Sequence, residues 1–238
     1  MEALLICVSD GAAVEDVIFG AKGAARWLAS GPTVVDFSTI SPATSITMAE
    51  RLADQGVAYL DAPVTGGTEG ARAGTLTVLV GGNAQVLARV QPLLEVIGET
   101  IHHFGPVGRG QQVKALNQVL VAGSYAALAE AIALGQQLGL PMQEVITALQ
   151  HGAAGSWALK HRSTAMLEDH YPLGFKLALH HKDLGIALET AERVGLQLPI
   201  TSQVKSMEES LIEHGHSEED VSVLRRWFDQ QQVEAQQF

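Results

Sequence analysis

The segment Asp61-Ala62-Pro63-Val64-Thr65-Gly66-Gly67-Thr68-Glu69-Gly70 holds residue types that suit anion binding. Glycines that follow a strand leave backbone N–H groups unscreened, and a hydroxyl among them adds a donor. Thr65, Gly66 and Gly67 can therefore form a concave site for a carboxylate. The same composition also describes an ordinary glycine-rich surface loop. A second candidate is Lys114, with Asn117 three residues on and Gln118 four, at the head of an Ala-rich helix. That spacing puts an amine and an amide on one helical face, where the amide can orient a substrate oxygen. Partial desolvation would lower the lysine pKa and let it shuttle a proton near neutral pH. The alternative is a lysine snorkelling from the helix end to solvent.

The run His180-His181-Lys182-Asp183 lies in a helical stretch. Adjacent histidines diverge on a helix and make a poor metal clamp, and His214 and His216 are two apart near a loop, so no metal site is expected. On spacing alone, Lys182 and Asp183 read as a solvated charged face. Ser9, Ser38, Ser124 and Ser156 lack a nucleophile-elbow context, and Cys7 sits in a strand-like run with no basic neighbour. Neither a Walker-type phosphate loop nor a G-x-G-x-x-G follows the first strand.

The elements that must position these residues fall into two halves. Strand-like runs cover Leu4–Val8, Thr33–Phe37, Val57–Val64, Thr75–Val80 and Thr100–Phe104. Helices are predicted over Ala12–Phe19, from Ser41-Pro42 to about Gly56, and near Ala84–Ile97. Strand and helix in alternation predict an α/β sheet. From about Gln111 the pattern is helical throughout, over roughly 111–138, 141–150, 156–168, 175–194, 200–213 and 217–230, and Gln230 to Gln237 reads as a fraying polar tail. The composition changes at Gly105-Pro106-Val107-Gly108-Arg109-Gly110, which sets the expected domains at 1–107 and 108–238.

Fifteen Lys and Arg against 26 Asp and Glu give a net charge of −11, which excludes a basic face for nucleic acid or an anionic membrane. The 47 % hydrophobic and 17 % charged shares argue for a packed core. Between Lys114 and Glu130 lies the longest uncharged apolar stretch, which is shorter than the roughly 20 residues of a membrane span. The opening residues read as a strand and not as a signal peptide. A single cysteine excludes an internal disulfide framework and fits a reducing compartment, so a cytoplasmic location is expected.

Taken together, the ordered motifs resemble the β-hydroxyacid dehydrogenases, the family of 3-hydroxyisobutyrate dehydrogenase and tartronate semialdehyde (2-hydroxy-3-oxopropionate) reductase. They are Val35–Pro42, Asp61–Gly70, Gly105–Gly110 leading to Lys114-Ala115-Leu116-Asn117-Gln118, and His181-Lys182-Asp183-Leu184. Gly152-Ala153-Ala154-Gly155-Ser156-Trp157 looks closer to the reductase-like branch. The resemblance implies a Rossmann-type domain followed by an all-helical domain like that of 6-phosphogluconate dehydrogenase, with the active site in the cleft between them. Lys114 falls on the family's catalytic lysine. Thr65, Gly66 and Gly67 fall on the substrate-carboxylate loop, and Asn117 and, more weakly, Gln118 fall on substrate-holding positions. Thr39 and Lys182 match cofactor contacts, while Ser9 and Asp10 occupy the segment that skirts the nucleotide.

The implied activity is NAD(P)-dependent hydride transfer to or from a small 3-hydroxy or 3-oxo acid, in a homo-oligomer of two or four chains. Family members begin with a strand, a dinucleotide glycine loop, a helix and a second strand. This chain starts after them, so a shortened dehydrogenase with an incomplete Rossmann domain and weakened NAD(P) affinity is expected, its activity in this form left open. A non-catalytic oligomerisation or binding subunit is the alternative. It rests on the small residues Gly123, Ala126, Ala127 and Ala131, which permit close helix packing.

Overall fold

The computed structural model describes residues 3–28 and 31–235. The chain forms two compact units, Met1–Asn117 and Gln118–Phe238.

The first unit is built on β1 (Ala3–Ile6), β2 (Thr33–Asp36) and β3 (Ala58–Asp61), paired in parallel in that order. Every residue of β2 is buried, as a parallel strand covered on both faces demands. The register sets Val34 beside Tyr59 and Val35 beside Leu60. Period-two alternation then sends the first pair to a core with α1 (Gly11–Phe19) and α2 (Pro42–Ala53). The second pair joins Val78, Val80, Leu87, Val90 and Leu94 in a separate cluster. Ser41 Oγ accepts the Thr44 N–H at 3.0 Å and Pro42 occupies the first turn, so α2 starts where its sequence directs.

The expected strand Val57–Val64 divides. β3 ends at Asp61, and β4 (Val64–Thr65) belongs to a second sheet in which it runs antiparallel to β5 (Leu76–Val80). Pro63 has no N–H to continue a ladder, and its carbonyl instead accepts from Leu79 N at 2.9 Å. β6 (Gly98–His103) pairs in parallel with β5. A bridge between Asp61 and Gly81 links the two sheets. The glycine-rich loop also contains an unexpected short helix, α3 (Gly67–Ala73), and α4 (Ala84–Leu94) follows β5.

The boundary between the units falls inside α5 (Arg109–Gln137). By length and composition alone this helix could cross a membrane, although its longest uncharged run is still the one between Lys114 and Glu130. Its Ala122, Tyr125, Ala129 and Ile132 are nevertheless buried in a protein core. They pack there with residues of α6 (Met142–Leu149), α7 (Trp157–Leu167), α8 (Leu177–Glu192) and α9 (Pro199–Glu213). The last predicted helix is a 3-10 turn, Val221–Leu224, continuing into α10 (Arg225–Ala235). The supposed tail is thus helical as far as Ala235, and residues 236–238 lie outside the described ones.

Candidate active site

Lys114 lies in the second turn of α5, about nine-tenths buried, and its Nζ donates to the Val64 carbonyl at 2.9 Å. Val64 is the residue before Thr65-Gly66-Gly67. The structure therefore brings the lysine to the glycine motif, and the reading of a chain end snorkelling to water is set aside. Gly66 and Gly67 have φ of 129° and 65°, which side chains rarely tolerate, so the turn requires glycine at both. Both are exposed and Thr65 is half-buried. Asn117, half-buried, follows Lys114 by three residues on the same helix.

Asp61 and Gln111 hold this arrangement, and neither was singled out by the sequence. Asp61 is fully buried; its Oδ1 accepts from Gly108 N at 2.8 Å and its Oδ2 from Gln111 N at 2.9 Å. These donors open α5, whose first N–H groups have no partner within the helix. Burial pushes the Asp61 carboxyl above its usual range, against the lowering effect of the Gly108 and Gln111 bonds. The Gln111 side chain, 1 % exposed, donates to Ser38 O at 2.8 Å and accepts from Ile40 N at 3.2 Å. It thus grips the peptide groups on either side of Thr39.

Ser9, Asp10 and Thr39 follow the carboxyl ends of β1 and β2, the side on which open α/β sheets bind ligands. Val8 N donates to Ser38 Oγ at 2.9 Å, which fastens the two loops together. Asp10 caps α1 by accepting from Ala13 N at 2.8 Å and also accepts from Ser9 Oγ at 2.8 Å. Behind them, Asp36 accepts from Ser38 N and from the Tyr59 hydroxyl, each at 2.9 Å.

In the second unit, Gln118 is 1 % exposed and donates through Nε2 to Asp183 Oδ2 at 2.7 Å. Lys182 Nζ lies 3.1 Å from Asp183 Oδ1. Asp183 is buried at 3 % exposure, so the solvated face suggested by spacing is corrected: the carboxylate holds two of the singled-out side chains. Spacing could not find this, since Gln118 and Asp183 are 65 residues apart. His180 and Glu208 form a fully buried pair, with Nδ1 2.5 Å from Oε1. Among the described residues, no group of three or more His, Cys, Asp or Glu is placed to hold a metal ion.

Residues 1–105 match the family described as the NAD binding domain of 6-phosphogluconate dehydrogenase. Residues 108–228 match the NAD-binding family of NADP-dependent 3-hydroxyisobutyrate dehydrogenase. The chain is 39 % identical over 223 residues to the 2-hydroxy-3-oxopropionate reductase of Escherichia coli (strain K12), covering 94 % of this chain and 76 % of that protein. A crystal structure of 3-hydroxyisobutyrate dehydrogenase from Salmonella typhimurium superposes with a TM-score of 0.87 at 31 % identity, covering 94 % of this chain and 78 % of that one. Psf3, solved with NADP+ and 2-OPP, gives 0.85 at 27 % identity, covering 94 % and 79 %. Ordered motifs, an α/β unit followed by a helical one, and these likenesses converge: the chain belongs to the β-hydroxyacid dehydrogenases, the NAD(P)-dependent oxidoreductases of small hydroxyacids.

Proposed function

We propose that this chain interconverts a small 3-hydroxy acid and its 3-oxo partner, with Lys114 as general acid and base. The observation that carries this reading is the buried Lys114 ammonium 2.9 Å from the carbonyl that precedes the Thr65-Gly66-Gly67 turn. When bound, NAD(P)H would supply the hydride for the carbonyl carbon. Lys114 then gives its proton to the oxygen, preventing an alkoxide from persisting, and takes it back in the oxidising direction. The N–H groups and hydroxyl of Thr65, Gly66 and Gly67 hold the substrate carboxylate, and Asn117 steadies the reacting oxygen. Gln118 is assigned to substrate binding from the family motif, and its bond to Asp183 supports a fixed amide there.

The hydroxyls of Ser9 and Thr39, with adjoining backbone groups, suit the sugar hydroxyls and amide of a nicotinamide nucleotide. The N-terminus of α1 is already capped by Asp10, so this segment suits the sugar and not a phosphate. Lys182, steadied by Asp183, is assigned to the cofactor as well. We place the functional boundary between residues 107 and 108, in keeping with one family match that ends at residue 105 and a second that begins at 108. A cytoplasmic location accords with the single cysteine.

Homo-oligomer formation is supported by α5, which exposes Leu116, Leu120 and Leu134 at 61–74 % on the face opposite its buried residues, with exposed Leu138 just past its end. The competing reading of a non-catalytic subunit predicts no change in nicotinamide fluorescence when NADH or NADPH is titrated; saturable enhancement refutes it. With 2-hydroxy-3-oxopropionate and either reduced cofactor, Lys114→Ala should lower kcat by roughly 10²–10⁴ with folding intact. Near-normal turnover in that variant would remove the lysine from the mechanism.

A further inference from the structure

Asp61 and Val64 lie three residues apart on one segment, and Gln111 and Lys114 three apart on one face of α5. Two ties join these pairs: the Asp61 carboxylate accepts from Gln111 N at 2.9 Å, and the Val64 carbonyl accepts from Lys114 Nζ at 2.9 Å. The second carboxylate oxygen accepts from Gly108 N. The segment that delivers the glycine turn and the helix that delivers the lysine are thus clamped twice, once through the backbone and once through the amine.

The approach is close enough to exclude side chains. A Cβ on Gly110 would stand 2.2 Å from the Leu79 carbonyl and 2.9 Å from Asp61 Oδ2, and one on Gly81 would stand 2.4 Å from Asp61 Oδ1. The backbone of Asp61 is itself held by reciprocal bonds with Gly81 at 3.1 and 2.8 Å. A carboxylate in this place satisfies orphan N–H groups at the helix start and opposes the positive end of the helix dipole. Because the cap comes from 50 residues away and not from the residues before α5, it fixes the helix relative to the sheet as well as closing its end.

We infer that Asp61 is a positioning residue for Lys114, locking the first turn of α5 so that the amine is presented beside the glycine turn. Its mechanistic consequence rests on the proposed function, but the placement itself is measurable without turnover. Competitive acetylation of the full chain, read residue by residue by mass spectrometry, reports how firmly each lysine is held. Lys22 and Lys160 are exposed and serve as internal references. Asp61→Asn keeps the shape but sets an amide group against one of the two N–H donors. We expect Lys114 to be acetylated about tenfold faster, with both references unchanged, the order expected when a charged hydrogen bond is broken. In the turnover assay the same variant should lower kcat about tenfold with KM near its original value.

An unchanged Lys114 rate overturns the assignment, as does equal acceleration of every lysine in a chain that still melts cooperatively. If Asp61→Asn does not fold, Asp61→Glu is read in the same way, since it keeps the charge while its extra methylene spoils the paired geometry. Failure of both to fold makes Asp61 a general support and also overturns the positioning role. A chain without dehydrogenase activity in which Lys114 alone accelerates would refute the proposed function and uphold the positioning.

Discussion

Replacing Gln111 with Met tests whether one side chain organises the first unit. The change is close to isosteric, so it creates little cavity. It deletes the acceptor for Ile40 N and the donor to Ser38 O, both in a site where Gln111 is 1 % exposed. Each stranded backbone group costs about 1–3 kcal/mol when water cannot reach it. Taking the lower half of that range for both gives about 3 kcal/mol, a sizeable part of the 5–15 kcal/mol typical of a domain. For a unit of this size, with unfolding entropy of about 2 cal/mol/K per residue, the loss corresponds to a drop of roughly 12 °C in Tm.

Calorimetry of the chain should show that drop, and hydrogen exchange should show the Ile40 amide losing protection while amides in α8 and α9 keep theirs. A Tm within about 2 °C of the original, or Ile40 protection unaltered, would refute the reasoning. Because the freed peptide groups flank Thr39, nicotinamide nucleotide affinity should fall in the same variant.

The buried His180–Glu208 pair invites a double-mutant cycle. Glu208→Leu alone should destabilise by about 3–5 kcal/mol, because it leaves the His180 ring buried without its partner. His180→Leu with Glu208→Leu should recover most of that loss, as judged by urea denaturation. Asp61 also gives a pH test: its carboxyl is raised in the folded state by burial, so between the ordinary and the raised value the folded chain holds a proton that the unfolded chain has released. That contribution to stability therefore declines as pH rises through this window and is fully lost above it. The difference in stability between the original chain and Asp61→Asn should shrink as pH rises above the ordinary carboxylate range, and a growing difference would reverse the sign. On α5, Leu120→Glu should reduce the mass in solution measured by light scattering without lowering Tm, since Leu120 is 74 % exposed in the single chain.

Local spacing made much of this protein legible. Strand and helix alternate where apolar periodicity changes from two to 3.6, and Ser41-Pro42 marks the start of α2 because capping is chemistry between near neighbours. Thr65-Gly66-Gly67 and Lys114 could be named because each needs only its own few residues to declare a turn or a helical face. What joins them could not be read in the same way.

Asp61, Gln111 and Asp183 act on groups 50, 71 and 65 residues distant, and their types alone also suit a solvated surface. Pro63 announced a break, but not that β4 would cross to a second sheet. Sequence by itself determined the family, the element types and the candidate amine, through propensities and motifs carried by contiguous residues. Only tertiary structure decided which carboxylates are buried and what they hold, because desolvation and hydrogen bonding are properties of the neighbours that folding brings together.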